Sequence, residues 1–151
     1  MIKRFEQFVS GITVCYKYIQ RIKALEMPEL EPGMKGSHVM CIFYLEQNPD
    51  GLTAAQLSNL CQEDKAAISR TLSELVERGF VAGGEKDGKR YRALLVLTEK
   101  GQALAEKVDK VISRWVEAGG DGLSEEERAA FYHGLELISG NLKDKYGEKT
   151  L

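Results

Sequence analysis

Apolar residues recur at Phe5, Phe8, Val9, Ile12, Tyr16, Ile19 and Ile22, in steps of three and four that lay one stripe along a helix from Ile2 to about Met27. Pro28 and Pro32 are expected to end it, and PELEPGMKG reads as a loop. Ser37 is the expected N-cap of a second helix running through His38 to Gln47, and Asn48-Pro49-Asp50-Gly51 has the composition of a turn. Thr53, with Gln56 three residues on and Leu52 placed to pack on Leu57, marks the start of a short third helix that ends near Leu60-Cys61-Gln62. Asp64 then caps a fourth, from Lys65 to Arg78, stopped by Gly79.

After Gly79 the pattern changes. Phe80-Val81 and Tyr91 to Leu97 are rich in strand formers and flank a glycine-rich, charged turn from Gly83 to Gly88, which predicts a hairpin. Thr98 caps a long helix carrying Leu104, Val108, Val111, Ile112 and Trp115 at helical steps, broken by Gly119-Gly120-Asp121-Gly122. Ser124 and Glu127 form a second capping box, opening a last helix through Leu135, Leu137, Ile138, Leu142 and Tyr146. The predicted fold is mainly α with a small β-hairpin, in the order α-α-α-α-β-β-α-α, within one compact domain. Two short helices, a tight turn and a hairpin make a winged helix-turn-helix, assigned to residues 36–97. The stripes of residues 1–35 and 98–151 are too long for so small a module to bury, so these helices are expected to form a dimer interface with a second copy.

Composition narrows the class. At 151 residues, 43% hydrophobic and 29% charged, the chain has the size of one domain and enough apolar material for a core. No apolar run approaches the roughly 20 residues that cross a bilayer, and the start MIKRFEQFVS is charged and amphipathic rather than a signal peptide. A cytoplasmic protein without membrane contact is expected. Cys15, Cys41 and Cys61 form no CxxC pair, which argues against a disulfide scaffold. The net charge of −2 excludes a global basic excess, so any nucleic-acid surface must be local. The densest positive cluster is Lys86, Lys89, Arg90 and Arg92, at the hairpin tip and its returning strand, against Glu85 and Asp87.

The fourth helix supplies the matching surface. Ile68, Leu72, Leu75 and, at the edge, Val76 share an inward side, whereas Ala66, Ser69, Arg70 and Ser73 point the other way. Small hydrogen-bonding residues around one arginine permit close approach to base edges, and the guanidinium offers a planar fork to guanine or phosphate. The helix N-terminus, with Lys65 beside it, suits a phosphate. Glu74 and Glu77 keep the other end acidic, so only the N-terminal half is expected to enter the major groove.

The run GLTAAQLSNLCQEDKAAISRTLSELVERGFV, a charged wing and then LVLTEKG resemble the MarR family of bacterial winged helix-turn-helix transcription regulators over residues 51–101. The family phrases correspond here to Leu52-Thr53, Asp64-Lys65, Ser69-Arg70, Gly79, and Leu97-Thr98 with Gly101. The resemblance implies a homodimeric repressor of a pseudo-palindromic operator in double-stranded DNA, released by a small-molecule effector. It casts Ser69 and Arg70 as groove readers and Lys89, Arg90 and Arg92 as wing cations. It also implies an effector cavity between the dimer helices and the winged module, to which we assign Tyr16, His38, Ile42 and Leu45. The wing departs from the commoner Asp-x-Arg form, reading Asp87-Gly88-Lys89-Arg90-Tyr91-Arg92, and we assign Arg90 to the minor groove. Gln62 and Glu63 stand where the family has an apolar residue before Asp64.

Other chemistries find less support. There is no Gly-rich phosphate loop, HExxH or GxSxG, so neither catalytic residues nor a cofactor are expected. The cysteines suit packing. The alternatives are a regulator switched by redox chemistry at Cys15 or by a metal at His38 and Cys41, or a winged-helix interaction module without DNA binding.

Overall fold

The structure is a computed structural model that describes residues 2–83 and 93–147. Its elements are α1 (Ile2–Leu30), α2 (Gly36–Glu46), α3 (Ala54–Cys61), α4 (Lys65–Glu77), β1 (Val81–Gly83), β2 (Leu95–Leu97), α5 (Glu99–Gly119) and α6 (Glu125–Tyr146). This is the expected order of a winged helix-turn-helix. The chain forms two compact units, one running to Ile112 and the other starting at Ser113. Among the described residues no helix is long and apolar enough to cross a membrane.

In the first unit Met27, Val39, Ile42, Leu45, Leu57, Ile68, Leu75, Phe80 and Val108 are buried, so α1, α2, α3, α4, the start of β1 and α5 contribute to one core. Local chemistry sets most helix starts. The Gln56 backbone N–H donates to Thr53 Oγ1 (3.2 Å) while the Thr53 N–H donates to Gln56 Oε1 (2.8 Å), satisfying two donors reciprocally at the start of α3. Asp64 Oδ1 accepts from the Ala67 N–H at 2.8 Å to open α4. Ser124 and Glu127 repeat the reciprocal pattern at α6.

Two boundaries differ from expectation. α1 continues through Pro28 to Leu30. The proline sits in the last turn, where its ring removes a single backbone donor, and Met27 beside it is locked into the core. α2 starts at Gly36, with Lys35 rather than Ser37 as its N-cap. There the Lys35 N–H donates to His38 Nδ1 at 3.0 Å, so an imidazole takes the part that Gln56 plays in α3.

Between α3 and α4 the chain turns through Gln62, the one non-glycine residue with positive φ (54°) among the described residues. The turn is braced by the Glu63 N–H donating to the Ser58 carbonyl (3.2 Å) and the Ser58 hydroxyl to the Glu63 carbonyl (2.6 Å). The strands pair antiparallel, Val81 opposite Leu97, Ala82 opposite Val96 and Gly83 opposite Leu95. Ala93 and Leu94 of the expected Tyr91 to Leu97 run are not in β2, its first two residues lie outside the described residues, and the other edge of β2 is taken by Leu52, which exchanges two backbone hydrogen bonds with Leu95 (3.0 and 2.8 Å). Leu52, just ahead of the α3 cap Thr53, thus fixes the hairpin to the helix pair.

The junction into α5 explains the Leu97-Thr98 and Gly101 spacing. Thr98 Oγ1 accepts from the Gly101 N–H (3.1 Å) and donates to the Gly79 carbonyl (2.6 Å), while the Thr98 N–H donates to the Phe80 carbonyl (3.0 Å). Gly101 lies against the Phe80 carbonyl with no room for a Cβ. In the second unit the Arg128 guanidinium donates to the Gly120 carbonyl at 3.1 Å, bracing the entry to α6.

Candidate nucleic-acid interface

α4 presents two distinct faces. Ile68, Thr71, Leu72 and Leu75 are buried, whereas Lys65, Ala66, Ser69, Arg70 and Ser73 are all exposed. Val76, expected at the edge of the core, is instead 44% exposed, and Thr71 takes its place inside. The cause is the side from which α2 approaches: Ser37 Oγ lies 3.4 Å from the Thr71 hydroxyl and His38 reaches Glu74, which leaves the Val76 side uncovered. On the outer face the Ser73 hydroxyl donates to the Ser69 carbonyl at 2.9 Å, so its oxygen remains as an acceptor. At the N-terminus the Asp64 carboxylate is committed to the Ala67 amide. Exposed small residues around Arg70 leave steric room for a groove edge, as the sequence pattern predicts.

The acidic end of α4 is better compensated than sequence suggests. Glu74 Oε2 accepts from His38 Nε2 at 2.8 Å and lies 3.5 Å from Lys35 Nζ. The hydrogen bond from His38 holds the Glu74 carboxyl below its ordinary pKa, against desolvation, and the charge of Lys35 adds to the lowering. His38 is only 1% exposed. Its Nδ1 accepts from a backbone N–H, so Nε2 carries the proton of a neutral ring. Burial pushes its pKa below the usual histidine value, outweighing the opposing pull of Glu74, while Lys35 and Arg78 add to the lowering. At the C-cap of the same helix the Arg78 guanidinium donates to the Pro32 carbonyl (2.7 Å) and pairs with Glu31 (3.3 Å), tying α4 to the segment between α1 and α2. Neither tie is visible in periodicity, because the partners lie 36 and 46 residues apart.

The wing residues Lys86, Lys89, Arg90 and Arg92 lie outside the described residues. Of the expected effector residues, Tyr16 lines a cleft of about 640 Å³ together with Lys23 from α1, Lys35, Ser37 and Met40 at α2, and Cys61. His38, Ile42 and Leu45 do not line it and are buried in the core. Helical periodicity separates the two sets: positions 37, 40 and 44 of α2 face the cleft, and positions 38, 42 and 45 face the core.

The alternative of a metal held by His38 and Cys41 is not assembled. Both His38 nitrogens are engaged elsewhere, Cys41 Sγ lies 4.0 Å from Cys61 Sγ, and Cys15 is exposed. Among the described residues no three His, Cys, Asp or Glu side chains gather into a group able to hold a metal ion.

Comparison with known proteins agrees with this geometry. A MarR family model matches residues 33–90. The HTH-type transcriptional regulator BilQ of Clostridium symbiosum is 24% identical over 105 residues, covering 70% of this chain and 72% of BilQ. Streptococcus pneumoniae FabT, solved in complex with DNA, superposes with a TM-score of 0.74 at 20% identity over 93% of this chain and 98% of FabT. Bordetella bronchiseptica BpsR, whose DNA binding is regulated by 6-hydroxynicotinic acid, superposes with a TM-score of 0.67 at 18% identity over 86% of this chain and 98% of BpsR. Residues 33–90 are thus similar to the MarR family, and the likeness to the solved structures shows a shared winged helix-turn-helix fold.

Proposed function

We propose that the chain acts in the cytoplasm as a homodimeric repressor that binds a pseudo-palindromic operator and is released by a small molecule. The observation that carries this reading is the exposed outer face of α4, small residues around Arg70 at a capped N-terminus, on the helix that follows a tight turn. Lys65, Ala66, Ser69, Arg70 and Ser73 would meet the major groove, and Lys86, Lys89, Arg90 and Arg92 of the wing the neighbouring backbone or minor groove.

Dimerisation is supported by apolar side chains left exposed on the terminal helices: Phe5, Phe8 and Ile12 of α1, and Phe131, Leu135 and Ile138 of α6. Under this reading residues 1–35 and 98–151 join two chains and residues 36–97 read DNA. A two-fold axis then sets two copies of α4 about one DNA turn apart, roughly 34 Å. The effector reading is supported by the cleft at Tyr16, Lys23, Lys35 and Ser37, whose two lysines suit a small anionic molecule.

Fluorescence anisotropy with the chain's own upstream DNA, across a salt series and against unrelated duplex, tests the proposal. Specific binding at two chains per site, weakening steeply with salt, is the expected result. Equal affinity for both duplexes at every salt concentration, repeated with genomic fragments, would refute it.

A further inference from the structure

The two cysteines that share a hydrogen bond have no part in the DNA-reading surface. Cys41 sits in the middle of α2 with no exposed surface, and Cys61 is the last residue of α3, half-buried and lining the cleft. Their sulfurs are 4.0 Å apart. A disulfide needs about 2.05 Å, so closing the bond requires a movement of about 2 Å shared between two side chains and the end of α3. Cys15, the third cysteine, is exposed on α1 and has no sulfur partner among the described residues.

We propose that Cys41 and Cys61 are a reversible dithiol–disulfide pair, oxidised by a small hydroperoxide that enters through the cleft, and that the bond acts on the turn leading into α4. The roles of the two thiols follow from their surroundings. The hydrogen bond shared with Cys41 pulls the Cys61 thiol below its ordinary pKa, against burial and the charge of Glu63, with the charge of Lys23 adding to the lowering. The same hydrogen bond and burial push Cys41 up. Cys61, open to the cleft and with the larger thiolate fraction, is the attacking sulfur. Its thiolate takes the terminal oxygen of the hydroperoxide, the O–O bond breaks, and the leaving alkoxide or hydroxide picks up the proton released from Cys61. The resulting sulfenic acid faces Cys41, whose sulfur displaces the hydroxyl. That hydroxyl leaves as water with the Cys41 proton. Two thiols and one hydroperoxide yield one disulfide, one water and one alcohol or second water; a small dithiol reverses it by exchange.

The position gives the bond leverage. Cys61 immediately precedes Gln62, whose left-handed backbone (φ 54°) makes the turn, and two residues further on Asp64 caps α4. Ser58, on α3 and hydrogen-bonded to Glu63, couples a pull on that helix end directly to the turn.

The experiment uses the reduced full-length protein, treated with a slight excess of hydrogen peroxide, alkylated and digested, with peptides mapped by mass spectrometry. The expected result is a peptide from Cys41 joined to one from Cys61 within one chain, with Cys15 still alkylated. The link should persist in Cys15→Ser and vanish in both Cys61→Ser and Cys41→Ala. Cys61 found only as sulfinic acid, or disulfides only between chains through Cys15, would overturn the proposal. The mapping needs no DNA and so stands apart from the repressor reading. The effect on α4 rests on that reading: operator affinity of the linked protein should fall by roughly tenfold or more and return with dithiothreitol. Linked protein that binds the operator as tightly as reduced protein would overturn the switch.

Discussion

Replacing Gly101 by alanine isolates the contact that seats α5 on the winged module. The new Cβ would overlap the Phe80 carbonyl oxygen, lie 3.0 Å from its carbon and 3.2 Å from Leu97 Cδ2. The carbonyl has little freedom to yield. It accepts from the Thr98 N–H at 3.0 Å, the Phe80 N–H is held by the Leu75 carbonyl at 2.9 Å, and the Phe80 ring is 1% exposed. The first turn of α5 must therefore retreat, weakening the bonds from Thr98 to Phe80 and Gly79. Overpacking of a tight site costs about 1–3 kcal/mol, and one or two weakened hydrogen bonds add about 1 kcal/mol each. Alanine's better helix propensity returns up to about 1 kcal/mol. The net expectation is a loss of roughly 2–4 kcal/mol. Urea unfolding followed by circular dichroism, at one fixed protein concentration so that self-association does not confound the midpoint, measures it. Gly119→Ala, where a Cβ meets nothing within 4 Å, is the matched control and should leave stability unchanged or slightly raised. A Gly101→Ala protein as stable as its parent would refute the close-approach argument.

Asp64→Ala removes the acceptor for the Ala67 amide and should lower stability by about 0.5–2 kcal/mol, while Asp64→Asn, which keeps an acceptor, should recover most of the loss in the same unfolding assay. Arg70→Ala should weaken operator binding by about 1–3 kcal/mol and blur preference at one base position, measured by anisotropy over single-base operator variants; unchanged affinity on all of them would remove Arg70 from the reading surface. Glu46 has a buried carboxylate oxygen without a hydrogen-bond partner, and its pKa is raised first by desolvation and then by Asp109 and Glu106. A raised folded-state pKa means the unfolded state ionises first, so wild-type stability attributable to Glu46 is present below about 4.3 and is lost as pH climbs through the raised value. Glu46→Gln should therefore match wild type in acid and become the more stable protein as pH rises toward neutrality; a stability gap independent of pH would contradict the assignment.

What the sequence made legible was largely local. Thr53 with Gln56, Asp64, Thr98, and Ser124 with Glu127 announce helix starts because each cap and its target amide lie within three residues. The outer face of α4 was legible for the same reason, since a wheel needs only the helix itself. The wheel erred at Val76 and Thr71, because which flank of the inward face is covered depends on where α2 lies. Ser37 misled as a cap because the capping acceptor came from His38, a residue type the usual box does not contain. The Leu52–Leu95 pairing, 43 positions apart by number, was invisible to any window. Cys41 and Cys61 were each read as packing residues, yet no spacing rule joins residues 20 apart on different helices.

α2 is where these long-range contacts converge, and its two faces give it a mechanical role in the proposed regulation. One face, at His38, Ile42 and Leu45, is sealed into the core, and through His38 it is bonded to Glu74 on α4. The other, at Ser37, Met40 and Tyr44, lines the cleft opposite Cys61 and Gln62 at the turn before α4. Under the proposed function, an occupant of the cleft would act on α4 by two routes, through α2 to the His38–Glu74 bond and through the α3–α4 turn. It can change operator affinity only if it favours one setting of those contacts over another. The sealed face transmits small displacements of α2 rather than absorbing them, because the close-packed core at His38, Ile42 and Leu45 has no voids to take up the movement.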